Sequence, residues 1–258
     1  MTTSDYLKVA VSAAKQSGKI FKQSFGKPKN VSIKNGNPRD LVTEIDKAIE
    51  TQIRKNILKH FPFHKIIGEE FGGQELKKND LVWIIDPVDG TTNYIQGLPF
   101  CCISIGLWDK QGPLLGVIYN PVLNQLFSAV RGKGAFLNGK KITVSPKKDL
   151  KQAFGAYGWG RGIKQAAKTF PKLVKILYKI RTTGSAAMDL CYVAAGIFDF
   201  HIQAEINVWD FAAGTIILTE AGGKMTDWRG GKIGFATKNY LASNNNFHQA
   251  LFDIFKKL

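Results

Sequence analysis

The sequence predicts an α/β protein made of two halves that share an interface. Three observations lead there. Apolar residues recur with a helical period at both ends of the chain, and short strand-like runs fill the stretch from about residue 65 to 130. Past Pro146 the pattern changes to helices alternating with strands. No repeat, low-complexity tract or flexible linker interrupts the chain, so residues 1–145 and 146–258 are expected to pack as one integrated unit.

The elements follow in order. From about residue 4 to 25, Leu7, Val11, Ala14, Gly18, Phe21 and Phe25 keep a helical spacing, with Lys8, Lys15, Lys19 and Lys22 elsewhere on the surface. Gly26-Lys27-Pro28 ends that helix. A second helix is expected over 44–60, with Ile45, Ile49, Ile53 and Ile57 in one i+4 row. Apolar runs at 65–67, 82–85, 102–107, 114–119 and 125–130 read as strands, and Asn138-Gly139 is a hairpin turn. In the second half, 185–195 and 210–221 read as helices that stop at Gly196 and at Gly222-Gly223, where a left-handed C-cap needs glycine. A closing helix is expected over 247–257, and Gly230-Gly231 reads as a hairpin turn.

Composition narrows the class. Hydrophobic residues make up 44% and charged residues 22%, the balance of a soluble globular chain. No stretch reaches the ~18 uninterrupted apolar residues of a membrane span, and the first residues lack the basic and apolar regions of a signal peptide. Cys101, Cys102 and Cys191 are too few and too irregular for a disulfide framework or a thiolate zinc site, so a cytoplasmic location is expected. His60, His64, His201 and His248 have no metal-ligand spacing, and no nucleophile elbow, P-loop or dinucleotide fingerprint is present. The charge is unusual: 36 Lys and Arg against 20 Asp and Glu give +16. Such a field attracts anions, whether phosphorylated metabolites, nucleic acid or an acidic partner. The basic pairs, Lys77/Lys78 and Lys140/Lys141 among them, are scattered as on solvated faces and carry no nucleic-acid recognition motif.

Four acidic segments carry the chemistry. In Trp83-Ile84-Ile85-Asp86-Pro87-Val88-Asp89-Gly90-Thr91-Thr92-Asn93, a buried strand ends on a carboxylate and Pro87 fixes a turn. A second carboxylate follows, then a glycine and a helix start. Such a turn can aim two carboxylates and several free N–H groups at one place, as a magnesium ion and a phosphate require. Ile66-Ile67-Gly68-Glu69-Glu70 is another strand ending in acids; were it parallel to its neighbour, Glu69 would meet Asp86. Asp210, in Val208-Trp209-Asp210-Phe211-Ala212-Ala213-Gly214, reads alone as a helix N-terminal acid. Asp46, in Asp40-Leu41-Val42-Thr43-Glu44-Ile45-Asp46, reads equally as an exposed helical acid or a reactive one.

Together these segments resemble the inositol monophosphatase family, within the magnesium-dependent, lithium-sensitive phosphatases. The resemblance runs nearly the full length, to Ala242-Ser243-Asn244, and includes Thr219-Glu220-Ala221-Gly222-Gly223. It implies a layered α-β-α-β-α sandwich of the inositol monophosphatase/fructose-1,6-bisphosphatase type, with the site between the halves. Glu69, Asp86 and the Val88 carbonyl are expected to hold a first Mg²⁺, and Asp86, Asp89 and Asp210 a second. Glu69 is expected to help with a third, weaker ion. Gly90 and Thr91 would offer N–H groups to the phosphate, and Thr91 and Asp46 would position the attacking water and help deprotonate it. Thr183-Gly184-Ser185-Ala186-Ala187 matches the substrate wall, so Gly184, Ser185 and Ala186 are expected to touch the alcohol. One position departs. Inositol-specific members carry glutamate seven residues before the helix aspartate, and here that residue is Gln203.

The activity this resemblance implies is hydrolysis of a small phosphate monoester, inositol-1-phosphate or a related polyol phosphate, by in-line attack of metal-activated water without a phosphoenzyme. Fructose-1,6-bisphosphate, histidinol phosphate, NADP and 3′-phosphoadenosine compounds are alternative substrates. A homodimer is expected from the resemblance alone. A rival reading, motivated by the +16 charge, is an RNA- or transcription-complex-binding protein on the same scaffold.

Overall fold

A computed structural model of the chain describes residues 2–27, 29–33, 41–73, 80–160 and 162–256. Pro28, Asp40, Lys77, Lys78 and Lys257 lie outside the described residues.

In chain order the described elements are α1 (Thr3–Ser24), β1 (Ser32–Ile33), β2 (Leu41–Val42), α2 (Glu44–His60), β3 (Lys65–Gly68), β4 (Gly72–Gly73), β5 (Val82–Asp89) and α3 (Thr91–Gln96). Next come β6 (Cys102–Asp109), β7 (Gly112–Asn120), β8 (Gln125–Val130), β9 (Ala135–Leu137), β10 (Lys140–Ile142) and β11 (Phe154–Gly158). The remainder are α4 (Ile163–Val174), β12 (Lys179–Arg181), α5 (Ala186–Ala194), β13 (Phe200–Gln203), α6 (Val208–Glu220), β14 (Lys224–Thr226), β15 (Tyr240–Ser243) and α7 (His248–Lys256).

Two large sheets organise most of these elements, and β1 and β2 pair in a separate antiparallel ribbon. The first runs β10-β9-β8-β7-β6-β5-β3-β4, antiparallel except for the parallel pair β3 and β5. The second runs β12-β11-β13-β15-β14, with β11 parallel to both its neighbours. Period-two alternation sends side chains to both faces of each sheet. Trp83, Ile85, Ile103, Ile105, Leu115 and Val117 face α1 and α2, where Ala10, Ala14, Phe21, Ile49, Ile53 and Ile57 cover them. Ile84, Cys102, Trp108, Ile118 and Phe127 turn the other way, onto α5 and α6. Those helices meet Ala156, Tyr240 and Ala242 of the second sheet. Tyr157, Phe200, Ile202 and Leu241, on its far face, pack on α4 and α7 through Leu173, Leu251 and Phe255. Three cores thus fill the four interfaces between five layers, α-β-α-β-α, the middle core enclosing α5 and α6 on both sides, and each fully buried aliphatic or aromatic side chain contributes about 1.5–3 kcal/mol.

Local sequence explains the element ends. The Asp5 carboxylate accepts the Thr2 N–H (2.9 Å), and the Asp46 carboxylate accepts that of Thr43 (2.8 Å), so both long helices start on a capping box. Asn138 and Gly139 both take positive φ (49° and 79°) between β9 and β10, the twist a tight hairpin needs. Gly196 and Gly222 are left-handed beyond the ends of α5 and α6.

Four expectations are corrected. The buried stripe of α1 centres on Ala10, Ala13, Ala14, Gly18 and Phe21, with Leu7 and Val11 only half-buried, because the small residues let the helix lie close to β7. Strand β5 does not stop at Asp86 but continues to Asp89; Pro87, which has no N–H to give, falls where the register with β6 shifts. Helix α6 starts at Val208, two residues earlier, so that Asp210 is its third residue. The Gly230 turn, closed on Asp227 by the Gly230 N–H (3.1 Å), lies inside a longer connection from β14 to β15.

Candidate active site

Parallel pairing of β3 with β5 aligns Gly68 with Ile85, and the Glu69 N–H donates to the Ile85 carbonyl at 3.2 Å. The next residues, Glu69 and Asp86, therefore come side by side, close enough for the Glu69 charge to act on the Asp86 carboxyl. Three residues on, β5 delivers Asp89, whose position is fixed from the other half of the chain. The Ser185 hydroxyl and the Ala187 N–H (2.8 Å) both donate to Asp89 Oδ2. Ser185 is the N-cap of α5, so Asp89 also lies at the electropositive start of that helix. Asp210 comes from the first turn of α6, where Oδ2 accepts the Asn207 N–H at 3.0 Å.

Asp86, Asp89 and Asp210 each place a carboxylate oxygen within 4.8 Å of the others. Asp86 is 1% exposed and Asp89 7%. Burial first, and then the charges of Glu69, Asp89 and Asp210, push the Asp86 carboxyl well above the usual carboxylate range. Burial likewise raises Asp210, with the charges of Glu69 and Asp89 adding to it. Asp89 is raised to about 6 by burial, held from going higher by the hydrogen bonds of Ser185 and Ala187. Crowded, water-poor carboxylates of this kind are costly unless a proton or a cation sits among them. The donors are hard oxygens with no thiolate or imidazole in the set, which suits a divalent cation of the magnesium or calcium type.

Around this cluster, Gly90 is left-handed (φ 87°) and opens α3, and the Thr91 hydroxyl donates to the Val88 carbonyl at 3.1 Å. A Cβ on Gly90 would press on the Phe100 and Gly184 carbonyls at 3.1 and 3.2 Å, so the turn needs glycine for both its φ and its closeness. A cleft of about 480 Å³ opens from the cluster and is walled by Asn93, Trp159, Gly184, Ser185, Ala186 and Gln203, with Asp89 and Asp210 at its base. Asp46 is buried; its Oδ2 accepts the Thr43 hydroxyl at 2.6 Å, so it is a cap acid and not an exposed one. The Gln203 amide donates to the Ala204 carbonyl at 3.0 Å and is 6% exposed.

Two residues in the site, Asn93 and Asp189, were given no role from sequence. Asn93 donates to both the Phe100 and Thr183 carbonyls at 2.7 Å, tying the substrate wall to α3. The Thr183 hydroxyl donates to Asp189, which lines the cleft and lies 3.3 Å from His201 Nε2. The available signal was an acid in the otherwise apolar helix Ala186–Ala194. Burial holds His201 down to about 3, so it is neutral, and Tyr240 Oη lies 3.0 Å from its Nδ1. The cysteines are buried and free, and burial pushes the Cys101 thiol up to about 12.

Comparison with known proteins agrees with this geometry. The family model described as the inositol monophosphatase family matches residues 3–257. The chain is 40% identical over 257 residues to inositol monophosphatase 2 of Solanum lycopersicum, covering 95% of this chain and 96% of that one. It is also 40% identical over 249 residues to Nus factor SuhB of Escherichia coli K12, covering 95% and 93%. The solved structure of a Thermotoga maritima IMPase superposes with a TM-score of 0.90 at 36% identity, covering 98% of this chain and 97% of that one. A match over nearly every residue, in sequence and in fold, makes this chain a member of the inositol monophosphatase family, metal-dependent hydrolases of phosphoric monoesters.

Proposed function

We propose that this protein hydrolyses a small phosphate monoester, inositol-1-phosphate or a related polyol phosphate, with two or three Mg²⁺ ions. The observation that carries the reading is the convergence of Asp86, Asp89 and Asp210 beside the glycine that opens α3. Glu69, Asp86 and the Val88 carbonyl would hold one ion, and Asp86, Asp89 and Asp210 a second, with Glu69 contributing to a third. Bound there, such ions neutralise phosphate oxygens, acidify water and stabilise the departing alkoxide. The Gly90 and Thr91 N–H groups would bind the remaining phosphate oxygens. Thr91 and Asp46 would position the attacking water and help deprotonate it. Water adds to phosphorus opposite the ester oxygen as its proton is taken up, the P–O bond to the alcohol breaks, and the departing alkoxide takes a proton from solvent water to leave as the alcohol. Gly184, Ser185, Ala186 and Gln203 would contact the alcohol. Residues 1–145 supply most of these ligands and residues 146–258 supply Asp210 and the substrate wall, so the two halves work as one catalytic unit.

Gln203 presents a neutral amide where inositol-specific relatives carry glutamate, which keeps fructose-1,6-bisphosphate, histidinol phosphate, NADP and 3′-phosphoadenosine compounds as alternative substrates. Phosphate release across that panel, with and without Mg²⁺ and Li⁺, tests the reading: Mg²⁺-dependent, Li⁺-inhibited turnover of at least one member is expected. No turnover of any member by pure protein with Mg²⁺ would overturn it. Three buried, free cysteines fit the cytoplasm, and a homodimer is the expected assembly.

A second role is favoured by the +16 charge together with the likeness to a Nus factor. It is binding to RNA or to a transcription complex. RNA affinity should then fall steeply with salt and survive Asp89→Asn, while that substitution abolishes hydrolysis.

A further inference from the structure

Glu50 lies on α2, one turn past Asp46, and none of its surface is exposed. A carboxylate buried so completely is tolerated only when its lone pairs are filled. Its Oε1 accepts from Arg54 Nε at 2.7 Å and from the Phe71 N–H at 3.4 Å, and its Oε2 accepts the Glu70 N–H at 2.8 Å. Arg54 extends the same grip: Nη2 donates to the Gly72 carbonyl at 2.6 Å, and the guanidinium stands 5.8 Å from the centre of the Phe71 ring. Gly68 is part of the fit, because a Cβ there would collide with the Glu50 carboxylate.

These contacts fall on the turn that carries Glu69. The two amides that bracket the Glu69 Cα are its own and that of Glu70. The first is tied to the Ile85 carbonyl at 3.2 Å and the second to Glu50. With both peptide planes fixed, the direction of the Glu69 Cα–Cβ bond is fixed as well. We propose that Glu50 and Arg54 are positioning residues: a buried clamp that aims the Glu69 carboxylate at Asp86 and so sets the affinity of the acidic cluster for divalent cations. Neither residue needs to touch cation or substrate. The proposal rests on the reading of Glu69 as a cation ligand.

In Glu50→Gln the shape is kept, but an amide NH₂ must face Arg54 or a backbone N–H, so one donor loses its acceptor. Outer partners of metal ligands typically change affinity by about 10–100-fold, and a loss at the lower end, about tenfold, is expected here. Free Mn²⁺, followed by electron paramagnetic resonance during titration of the metal-free protein, measures it directly. Glu50→Gln and Glu69→Gln should each weaken binding, and the double variant should bind no more weakly than Glu69→Gln alone, because the clamp acts through Glu69. Losses that simply add would overturn the clamp and assign Glu50 to general stability. Wild-type affinity in Glu50→Gln alongside weakened Glu69→Gln would also overturn it while leaving the ligand reading intact. Wild-type affinity in Glu69→Gln would remove the ligand reading and the clamp with it. If Glu50→Gln does not fold, Arg54→Gln, whose parent side chain is 22% exposed, takes its place in the same cycle.

Discussion

Ser185 and Ala187 both donate to one oxygen of Asp89, and these bonds are what keep its carboxyl from rising beyond about 6. In Ser185→Ala the anion loses a donor, so the proton binds Asp89 more tightly. A proton and a cation compete for the same oxygens. The acid limb of the pH–activity profile should therefore move to higher pH, with the neutral plateau reduced less than the acid side. An unmoved limb would show that Asp89 is not the group titrating there. Asp89→Asn removes the charge outright and should lower phosphate release by more than about 100-fold, beyond the range of outer-partner changes, while the fold, read by circular dichroism, is retained. Asp86, Asp89 and Gly90 were legible in sequence because the motif keeps two acids and a glycine within five residues, at the end of β5. Asp189 and Asn93 were not, since their importance lies in contacts that cross from one element to another: Asp189 with Thr183 and His201, and Asn93 with Phe100 and, 90 residues away, Thr183.

At the scale of elements, the seat of α6 on the first sheet decides where Asp210 ends up. Gly106 and Gly116 leave that face of the sheet bare, and α6 answers with Ala212 and Ala213. A Cβ at Gly116 would overlap the Ala213 carbonyl, and at Gly106 it would stand 3.1 Å from the Ala213 nitrogen. Gly116→Ala should thus lift the helix, cost about 1–3 kcal/mol as overpacking does, and weaken cation binding by moving Asp210. Urea unfolding and a Mn²⁺ titration on the same variant check both halves of that statement. A variant that loses stability but keeps full affinity would mean that Asp210 tolerates movement of its helix. The helix itself was expected from its run to the glycine stop at Gly222-Gly223, but its tight approach to glycines in β6 and β7 could not be read from either segment alone. Helix α4 was also missed; Pro171 sits inside it and interrupts the local pattern, and packing of Ala166 and Leu173 under the second sheet holds the helix together.

For the whole molecule, the acidic cluster links stability, pH and metal. Asp86, Asp89 and Asp210 all have folded pKa values above the ordinary 3.8. The metal-free native state therefore holds protons that the unfolded chain has already released. By linkage, the contribution of these groups favours folding at low pH and is lost as pH rises from about 4 through 6 and beyond. A cation that binds only the native state offsets this loss. The thermal midpoint in chelator should fall between pH 5 and 7.5, and the increment given by Mg²⁺ should grow over the same interval. Activity should move the opposite way, falling in mild acid as protons displace the cation. A chelator-treated midpoint that rises over that range would contradict the assignment of these carboxyls as crowded and unneutralised.

The long helices α1, α2, α5 and α6, the strands of the first sheet from β5 to β8 and the pairing of two acids with a glycine at the end of β5 were legible in the sequence alone. Each depends on residues within a few positions of one another, where spacing and propensity act directly. The meeting of Asp86, Asp89 and Asp210, from β5 and α6, was decided only by the tertiary structure. So was the clamp of Glu50 on the Glu69 turn. These contacts join segments brought together by strand register and helix packing, and no local pattern encodes how two distant surfaces will fit.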